Sequence, residues 1–593
     1  MERIADYIIS AVRGAGAEHI FLLTGRGILY LSDAVAKNGS VTPVCTYHEQ
    51  GASYAAMAYA AVKGVAACLV STGCAAANAV AAALCAYQDN LPVIFLSGQN
   101  MLRETTRYTG APIRTYGSQE ADIVSIVEPV TKYAVMLTDP AKARREVEKA
   151  LFLARDGRKG PVWIDVPLDI QDARIDPEQQ EGYHPPRPTA YALDEAADEV
   201  AAELSGARRP LLLIGGGASG AAREIALLSE ELRLPVAFSP AAADVYGASH
   251  ALSVGAVGSL GGTRAGNFAV QNADYLLAVG TRLCAQETGR KQSFARGAKI
   301  TVVDIDEHEH TKDGVHIDRV IPADAREFLQ ALLTAKPRRA PEAWAEACER
   351  WKDVFSVKKE AFIQALAKEN ELDLYSLADS LSGILPENAT VITDAGFEEL
   401  IVPSAIPYRD GQRCLFPKAQ GAMGYAIPAI LGAHYAGREN LLTVVGDGSF
   451  MMNMQELGII AAQKIPARIL VINNNMYAVI RKRQHDLFRA RTIGNDPSDG
   501  VPAPDFEKIA ACFGFAYRKI HSLSEWNRAR EQLFASEAPL LWEVVCTPEQ
   551  KYLHESYALN EKRRLVRRPI EDMSPFLDRE LIRGEMIVEM TEG

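Results

Sequence analysis

Three times along this chain a short run of aliphatic and β-branched residues ends at glycine, asparagine or a small polar residue and gives way to a longer alanine-rich stretch. Such alternation predicts parallel sheets covered by helices, because parallel neighbours need a crossover and a helix supplies it. The first round covers residues 1–175, with strands read at His19–Leu23, Ala66–Ser71, Val93–Ser97 and Val162–Val166. The second, residues 189–335, holds PLLLIGGGASG, DYLLAVGTRL and KITVVDIDE, a Rossmann-like unit whose glycine turn is weak evidence for a nucleotide, because any strand-to-helix corner can use glycine for tight packing. The third, residues 370–550, contains VITDAG, LLTVVGDGSF, ARILVINNN and LLWEVV. Between the first two rounds, QDARIDPEQQEGYHPPRP reads as an exposed linker. Residues 551–593, with the basic run EKRRLVRRP, read as a C-terminal tail whose charges face solvent. The expected fold is α/β, with three parallel-sheet domains.

Composition narrows the function. A chain with 48% hydrophobic and 23% charged residues has the balance of an ordinary globular protein. Its 75 acidic residues outnumber 63 basic ones, so the positive footprint of a nucleic-acid binder is missing and small-molecule chemistry is expected. The nine cysteines are scattered without a CxxC pair, which predicts neither a disulfide framework nor a structural zinc. MERIADYIISAVRGAG reads as an amphipathic helix and lacks the pattern of a signal peptide, so a cytoplasmic protein is expected. Residues 64–88 carry no charge and are long enough to span a bilayer. Ser71, Thr72, Gly73 and Asn78 interrupt them, however, and they parse better as a buried strand, a turn and a buried helix.

The strongest chemical signal is VVGDGSFMMNMQELGIIAAQKIPARILVINNNMYAVI. One apolar strand ends in Gly446-Asp447-Gly448-Ser449, a second ends in Asn473-Asn474, and Asp447 and Asn474 stand 27 residues apart. Two parallel strands joined by one crossover place their carboxyl ends side by side, where open α/β sheets bind ligands. A carboxylate and an amide oxygen then converge, as magnesium requires when it ties down a diphosphate. Gly446 and Gly448 would allow close backbone approach, and a helix starting near Ser449 would turn its free N–H groups to the phosphates.

This run resembles the thiamine-diphosphate enzymes of the acetolactate synthase and pyruvate decarboxylase superfamily, whose signature is GDG followed at this spacing by NN. The resemblance implies that Asp447, Asn474 and the carbonyl of Met476 bind Mg2+. It names the three domains pyrimidine-binding, central and diphosphate-binding. TYHEQGASYAAMAYA resembles the segment whose glutamate hydrogen-bonds the cofactor aminopyrimidine, a catalytic role that falls on Glu49. LVSTGCAAANAV resembles the family's SGPGATN turn, with Asn78 kept for the cofactor but Cys74 and Ala75 replacing proline and glycine. In KAQGAMGYAIPAILGA, Met423 takes the place of the bulky residue that bends the cofactor, and Gly421 and Met423 contact its aminopyrimidine by their backbone.

Substrate residues follow from the same resemblance. YGSQEADI places Gln119 at the substrate channel, with Ser118 where phenylalanine is common, and VTKY places Lys132 at the family's lysine. Where acetolactate synthases carry an acceptor-selecting tryptophan, this chain has Arg483, flanked by Arg481 and Lys482. A cationic, widened pocket would suit an anionic acceptor such as a nucleotide-linked keto sugar. Arg282 in VGTRL matches the flavin-binding branch, whereas CAQETG replaces that branch's acidic pair and arginine, which leaves FAD open. DAGFEEL puts Glu398 and Glu399 where the branch has histidine and glutamine beside the diphosphate.

The resulting expectation is a ThDP- and Mg-dependent carboligase. It would decarboxylate a 2-oxo acid, pyruvate first, and pass the acyl-anion equivalent to an acceptor carbonyl, with no nucleic acid or membrane as partner. Glu49 and the diphosphate site come from different subunits in this family, which implies a homodimer or homotetramer. Simple aldehyde release, as in a non-oxidative decarboxylase, and a catalytically idle cofactor-binding subunit are the competing readings.

Overall fold

The structure is a computed structural model that describes residues 1–186, 191–488, 491–559 and 565–591. The expected start of the central domain at residue 189 and the basic residues Lys562–Arg564 lie outside the described residues.

Three six-stranded, all-parallel sheets follow one another along the chain. The first holds β1 (His19–Leu22), β2 (Thr42–Cys45), β3 (Ala66–Val70), β4 (Val93–Gln99), β5 (Tyr133–Met136) and β6 (Val162–Pro167), in the spatial order β2-β1-β3-β4-β6-β5. The second holds β7 (Pro210–Ile214), β8 (Val236–Phe238), β9 (Ser253–Ala256), β10 (Tyr275–Val279), β11 (Lys299–Asp304) and β12 (Arg319–Pro322), ordered β9-β8-β7-β10-β11-β12. The third holds β13 (Thr390–Ile392), β14 (Arg413–Leu415), β15 (Leu441–Gly446), β16 (Arg468–Asn473), β17 (Ala516–Ile520) and β18 (Leu540–Val545), ordered β14-β13-β15-β16-β18-β17.

The first and third sheets therefore share one topology, and the middle sheet has the order of dinucleotide-binding folds. In each sheet the strand order reverses beside the first strand, which opens a crevice at the carboxyl ends. In the third sheet that crevice lies between β13 and β15, so it is framed by Thr393–Gly396 on one side and Gly446–Asp447 on the other.

Helix α1 (Glu49–Lys63) joins the outer domains. Its sequence, EQGASYAAMAYAAVK, is small and apolar on all sides, and eleven residues from Glu49 to Ala60 are buried, as expected of a helix enclosed by protein. His48 caps its start by accepting the Gln50 N–H on Nδ1 at 3.0 Å, and Gly64 ends it in the left-handed region. Helix α2 (Cys74–Asn78) follows β3. In the third domain α3 (Phe397–Ala405) follows β13, and α4 (Ala426–Tyr435) lies directly on α1, so that the first and third domains share a continuous apolar core. Residues 64–88, without charge, form β3, the turn, α2 and a helix at Val80–Gln88, and no helix among the described residues is long and apolar enough to cross a membrane.

The C-terminal segment is not a loose tail. Ile570, Met573 and Ile582 are buried, Ile570 and Ile582 within the core of the central domain. The guanidinium of Arg264 donates to the Met573 and Pro575 carbonyls, and Asn272 Oδ1 accepts the N–H groups of Ile587 and Val588. Polar composition had concealed these scattered apolar anchors.

Candidate functional site

Asp447 opens a four-residue helical turn, α5 (Asp447–Phe450), at the end of β15. Because Gly446 pairs with Ile472 across β15 and β16, the loop after β16 comes back to the carboxylate. Asp447 Oδ2 accepts N–H groups from Asn475 at 2.6 Å and Asn474 at 3.2 Å. Burial pushes its carboxyl up to about 6, against the pull of those N–H groups. Asn474 Oδ1 accepts the Met476 N–H at 3.2 Å, which sets the amide beside the Met476 backbone. Asn473 points away and donates to Glu543 Oε1 on β18. Asp447, Asn474 and Met476 are thus gathered at one sheet end, an oxygen-rich donor set of the kind a hard cation takes.

Other expectations for this loop are revised by the packing. A Cβ on Gly448 would meet the Tyr477 ring at 2.7 Å from Cδ1, so the packing of Tyr477 by itself requires glycine there. Ser449 is buried and turned inward, accepting the Gly424 N–H at 2.9 Å and donating to Asp394. No long helix starts at Ser449. The chain leaves the helical path by Asn453, whose amide is committed to the Gly424 carbonyl at 2.8 Å and Gln50 Oε1 at 3.0 Å. One turn carries little of a helix dipole.

Around the crevice of the third sheet stand Gly421 and Met423 and, opposite them, Glu398 and Glu399. Both acids turn inward. Glu398 Oε1 lies 3.4 Å from where a Cβ of Gly446 would be, and Glu399 Oε1 lies 3.0 Å from the Cβ position of Gly421, with Oε2 closer still. Burial pushes each carboxyl up to about 8, reinforced by Asp394 and Asp447 for Glu398 and by Asp394 and Asp89 for Glu399.

In the first domain Glu49 is buried at the start of α1, and Asn78 Nδ2 donates to its Oε2 at 3.0 Å. Asn78 therefore orients a carboxylate. Gln119 adopts φ +64°, and its carbonyl carbon stands 3.2 Å from the Cβ position of Gly73, which lays the Gln119 segment on the altered Gly73-Cys74 turn. Lys132 is not gathered with them. It stands at the amino end of β5, opposite the sheet's carboxyl ends, and gives its ammonium to the Asp156 carbonyl at 2.6 Å. Arg483 lies on α6 (Ala478–Phe488), exposed and without a carboxylate partner among the described residues, while Arg481 and Lys482 are paired with Asp496 and with Asp486 and Glu555.

Residues 2–126 match the N-terminal TPP binding domain of thiamine pyrophosphate enzymes, residues 197–332 their central domain, and residues 394–544 their C-terminal TPP binding domain. The acetolactate synthase of Arthrospira platensis is 30% identical over 564 residues, which is 92% of this chain and 94% of that protein. The chain belongs to the thiamine pyrophosphate enzyme family. A probable acetolactate synthase large subunit of Methanocaldococcus jannaschii is also 30% identical, over 92% of each chain. The acetolactate synthase isozyme 1 large subunit of Escherichia coli is 28% identical, over 92% of this chain and 94% of its own. This is a thiamine-diphosphate-dependent enzyme of the acetolactate-synthase-like kind.

The residues present suit that cofactor: one carboxylate, one amide and one carbonyl converge beside glycines, and a buried carboxyl stands on a second domain. One feature of this family member has no local signature in the sequence. Glu456, with no exposed surface, accepts the Tyr47 N–H on both carboxylate oxygens at 3.2 Å and the His48 N–H at 3.1 Å, just ahead of Glu49. Glu456 belongs to the QEL that follows GDGSFMMNM. In the central domain, Gly215 uses its missing Cβ to pack against Thr281, whose Cα is 2.5 Å from that position. Close packing therefore accounts for that glycine.

Proposed function

We propose that this enzyme is a magnesium-dependent carboligase that decarboxylates a 2-oxo acid, pyruvate first, and transfers the two-carbon acyl-anion equivalent to an acceptor carbonyl. The observation that carries this reading is the gathering of Asp447, Asn474 and Met476 at one sheet end in a chain that also keeps a buried Glu49 pinned by Asn78. Asp447, the Asn474 amide oxygen and the Met476 carbonyl would hold Mg2+ and, through it, the diphosphate. Gly421 and Met423 would bear on the aminopyrimidine. Thiamine diphosphate, when bound, supplies the nucleophilic carbon and the electron sink that decarboxylation of a 2-oxo acid needs.

The chain's own groups then have defined tasks. Asn78 occupies Glu49 Oε2, which leaves Oε1 to hold a proton against the aminopyrimidine. Glu456 fixes the backbone on which Glu49 stands. Gln119, on its strained turn, lines the approach for substrate. Arg483 offers a free guanidinium to an anionic acceptor, such as a nucleotide-linked keto sugar, in place of a flat aromatic wall.

Because Glu49 serves the diphosphate site of a second copy in this reading, the working unit is at least a homodimer. Exposed apolar side chains at Tyr47, Met451 and Met452, next to Glu49 and Asp447, support it. Purified protein with Mg2+, thiamine diphosphate and pyruvate should release carbon dioxide and form a carbon–carbon bond with one member of an acceptor panel, read by mass spectrometry. No carbon dioxide with any 2-oxo acid or acceptor would end the carboligase reading.

A further inference from the structure

The C-terminal segment, anchored on the central domain, encloses a cavity that shares no lining residue with the cofactor crevice. After the buried Ile570 and Met573 the chain forms α7 (Arg579–Glu585) and then a run held down by Asn272, which accepts the Ile587 and Val588 N–H groups, and by Arg296, which donates to the Glu589 carbonyl. The cavity measures about 490 Å³. Small-molecule sites span roughly 300–1,000 Å³, and this one holds more than a lone inorganic phosphate would fill. Its lining combines Arg568, Arg579 and Arg583 with Met586, Ile587, Val588 and Met590.

Charge in the cavity is unevenly matched. Asp572 is 3% exposed, its Oδ2 accepts from Arg568 Nε and Arg579 Nη1 at 2.8 Å each, and its buried Oδ1 has no partner. One carboxylate thus carries two guanidinium groups. Both also stand over the Phe576 ring, with Cζ 5.0 Å and 6.0 Å from its centroid. A shared anchor and a shared ring fix the two forks before any ligand arrives. Arg583 follows Arg579 by one turn on α7, so the two share a helix face, where like charges repel. Arg583 is exposed and has no carboxylate partner among the described residues. Neighbouring acids are engaged elsewhere: Glu585 accepts from Arg350 and from Trp351 Nε1, Glu571 pairs with Arg296, and Asp578 caps α7. Against the three arginines the lining sets only the carboxylates of Asp572 and Glu589.

These features select a ligand class. Guanidinium forks match phosphoryl oxygens two at a time, so three of them suit an anion with more than one phosphoryl group. Asp572 Oδ1 calls for an N–H or O–H donor, because a buried acceptor left alone costs free energy. Ile587, 52% exposed, offers an apolar surface to a ring, with Met586, Val588 and Met590 beside it in the lining. Phosphoryl groups, a donor and a flat apolar body occur together in a nucleoside diphosphate.

We propose that this cavity is a binding site for a nucleoside diphosphate, with the diphosphate on Arg568, Arg579 and Arg583 and the base or ribose donating to Asp572 Oδ1. No residue of the Asp447 clamp takes part, so the proposal stands or falls apart from the cofactor reading.

The test is titration calorimetry of the full-length protein with ADP, and with inorganic phosphate, in EDTA, where no Mg2+ is present to hold a diphosphate at Asp447. Wild type, Arg583→Ser and Asp447→Ala are compared. Arg583 makes no contact that the fold depends on, so its replacement should leave the unfolding temperature unchanged. ADP should bind wild type about tenfold or more tightly than inorganic phosphate does, Arg583→Ser should raise the Kd for ADP about tenfold, and Asp447→Ala should leave it within about twofold. Wild type that takes up no ADP, or binds it no more tightly than phosphate, overturns the proposal, as does Arg583→Ser binding ADP as well as wild type. Loss of ADP binding in Asp447→Ala would place the nucleotide in the crevice and overturn it too.

Discussion

Gly432 on α4 packs directly against the α1 backbone at Ala55, and Gly432→Ala tests whether that approach holds Glu49 in place. A Cβ built there would stand 2.8 Å from Ala58 Cβ and 2.9 Å from the Ala55 carbonyl carbon, with the Ala55 oxygen nearer still. Carbon atoms at rest keep about 3.5–4.0 Å, so α1 and α4 must separate by about 1 Å. Two effects oppose each other. Alanine favours a helix over glycine by about 1 kcal/mol, whereas overpacking costs about 1–3 kcal/mol and more where the obstacle is backbone. The obstacle here includes backbone, so the net should be a loss of about 1–2 kcal/mol.

Calorimetric unfolding should show the transition of the paired domains falling by about 2–8 °C, at about 2–4 °C per kcal/mol. Gly14→Ala is the control, because Gly14 ends the helix Ile4–Gly14 with nothing within 4 Å of its Cβ position. That variant should gain stability or stay level. Since α1 begins at Glu49, a shift of about 1 Å should also lower kcat on the order of 100-fold. If Gly432→Ala unfolds at or above the wild-type temperature, the helices are not in the contact argued here and the positioning of Glu49 through α1 falls with it.

Glu49→Gln should lower carbon dioxide release by about 10²–10⁴-fold while leaving thiamine diphosphate affinity within a few-fold, and a fully active variant would remove the catalytic role. Asp447→Ala, or chelation of Mg2+ in the wild type, should abolish tight cofactor uptake, measured by equilibrium dialysis. Arg483→Ser should raise KM for the anionic acceptor at least tenfold and leave pyruvate decarboxylation unchanged; equal effects on both would remove the acceptor role. At acid pH the buried Glu360 should govern part of the stability. Burial alone would raise its carboxyl, but the bonds from His554 and from Arg264 at 2.7 Å hold it at about 2, below its ordinary 4.5. A depressed folded value stabilises above the unfolded one, so this contribution should be complete above about 4.5 and vanish toward 2. In Glu360→Gln the slope of stability between those values should flatten, and at pH 7 the unpaired Arg264 should cost about 3–5 kcal/mol, both read by urea unfolding.

What could be read from the chain followed from how each feature is encoded. Buried parallel strands are unbroken apolar runs, so LLTVVG, RILVIN, PLLLI and AACLV announced themselves. The strands β2 and β5 did not, since TPVC and YAVM are edge strands of four residues, the first mostly exposed and the second only partly buried, too short to stand out as buried runs. That is also why Lys132 was read toward substrate: without β5 in view, nothing in VTKY says that the lysine sits at the amino end of a strand. Asp447 and Asn474 could be paired because one crossover of known kind separates them, and a local rule then fixes which sheet end they share. Glu456 and Tyr47 are 409 residues apart, and no local rule brings them together. The acids of DAGFEEL are the instructive intermediate. Their position in the chain placed them beside the crevice, but whether both side chains turn inward depends on what α3 packs against and on which neighbours already hold every available N–H. Only the folded chain shows Asp394 and Asp89 supplied with N–H and hydroxyl donors and Glu399 with none among the described residues, where burial pushes its carboxyl up to about 8.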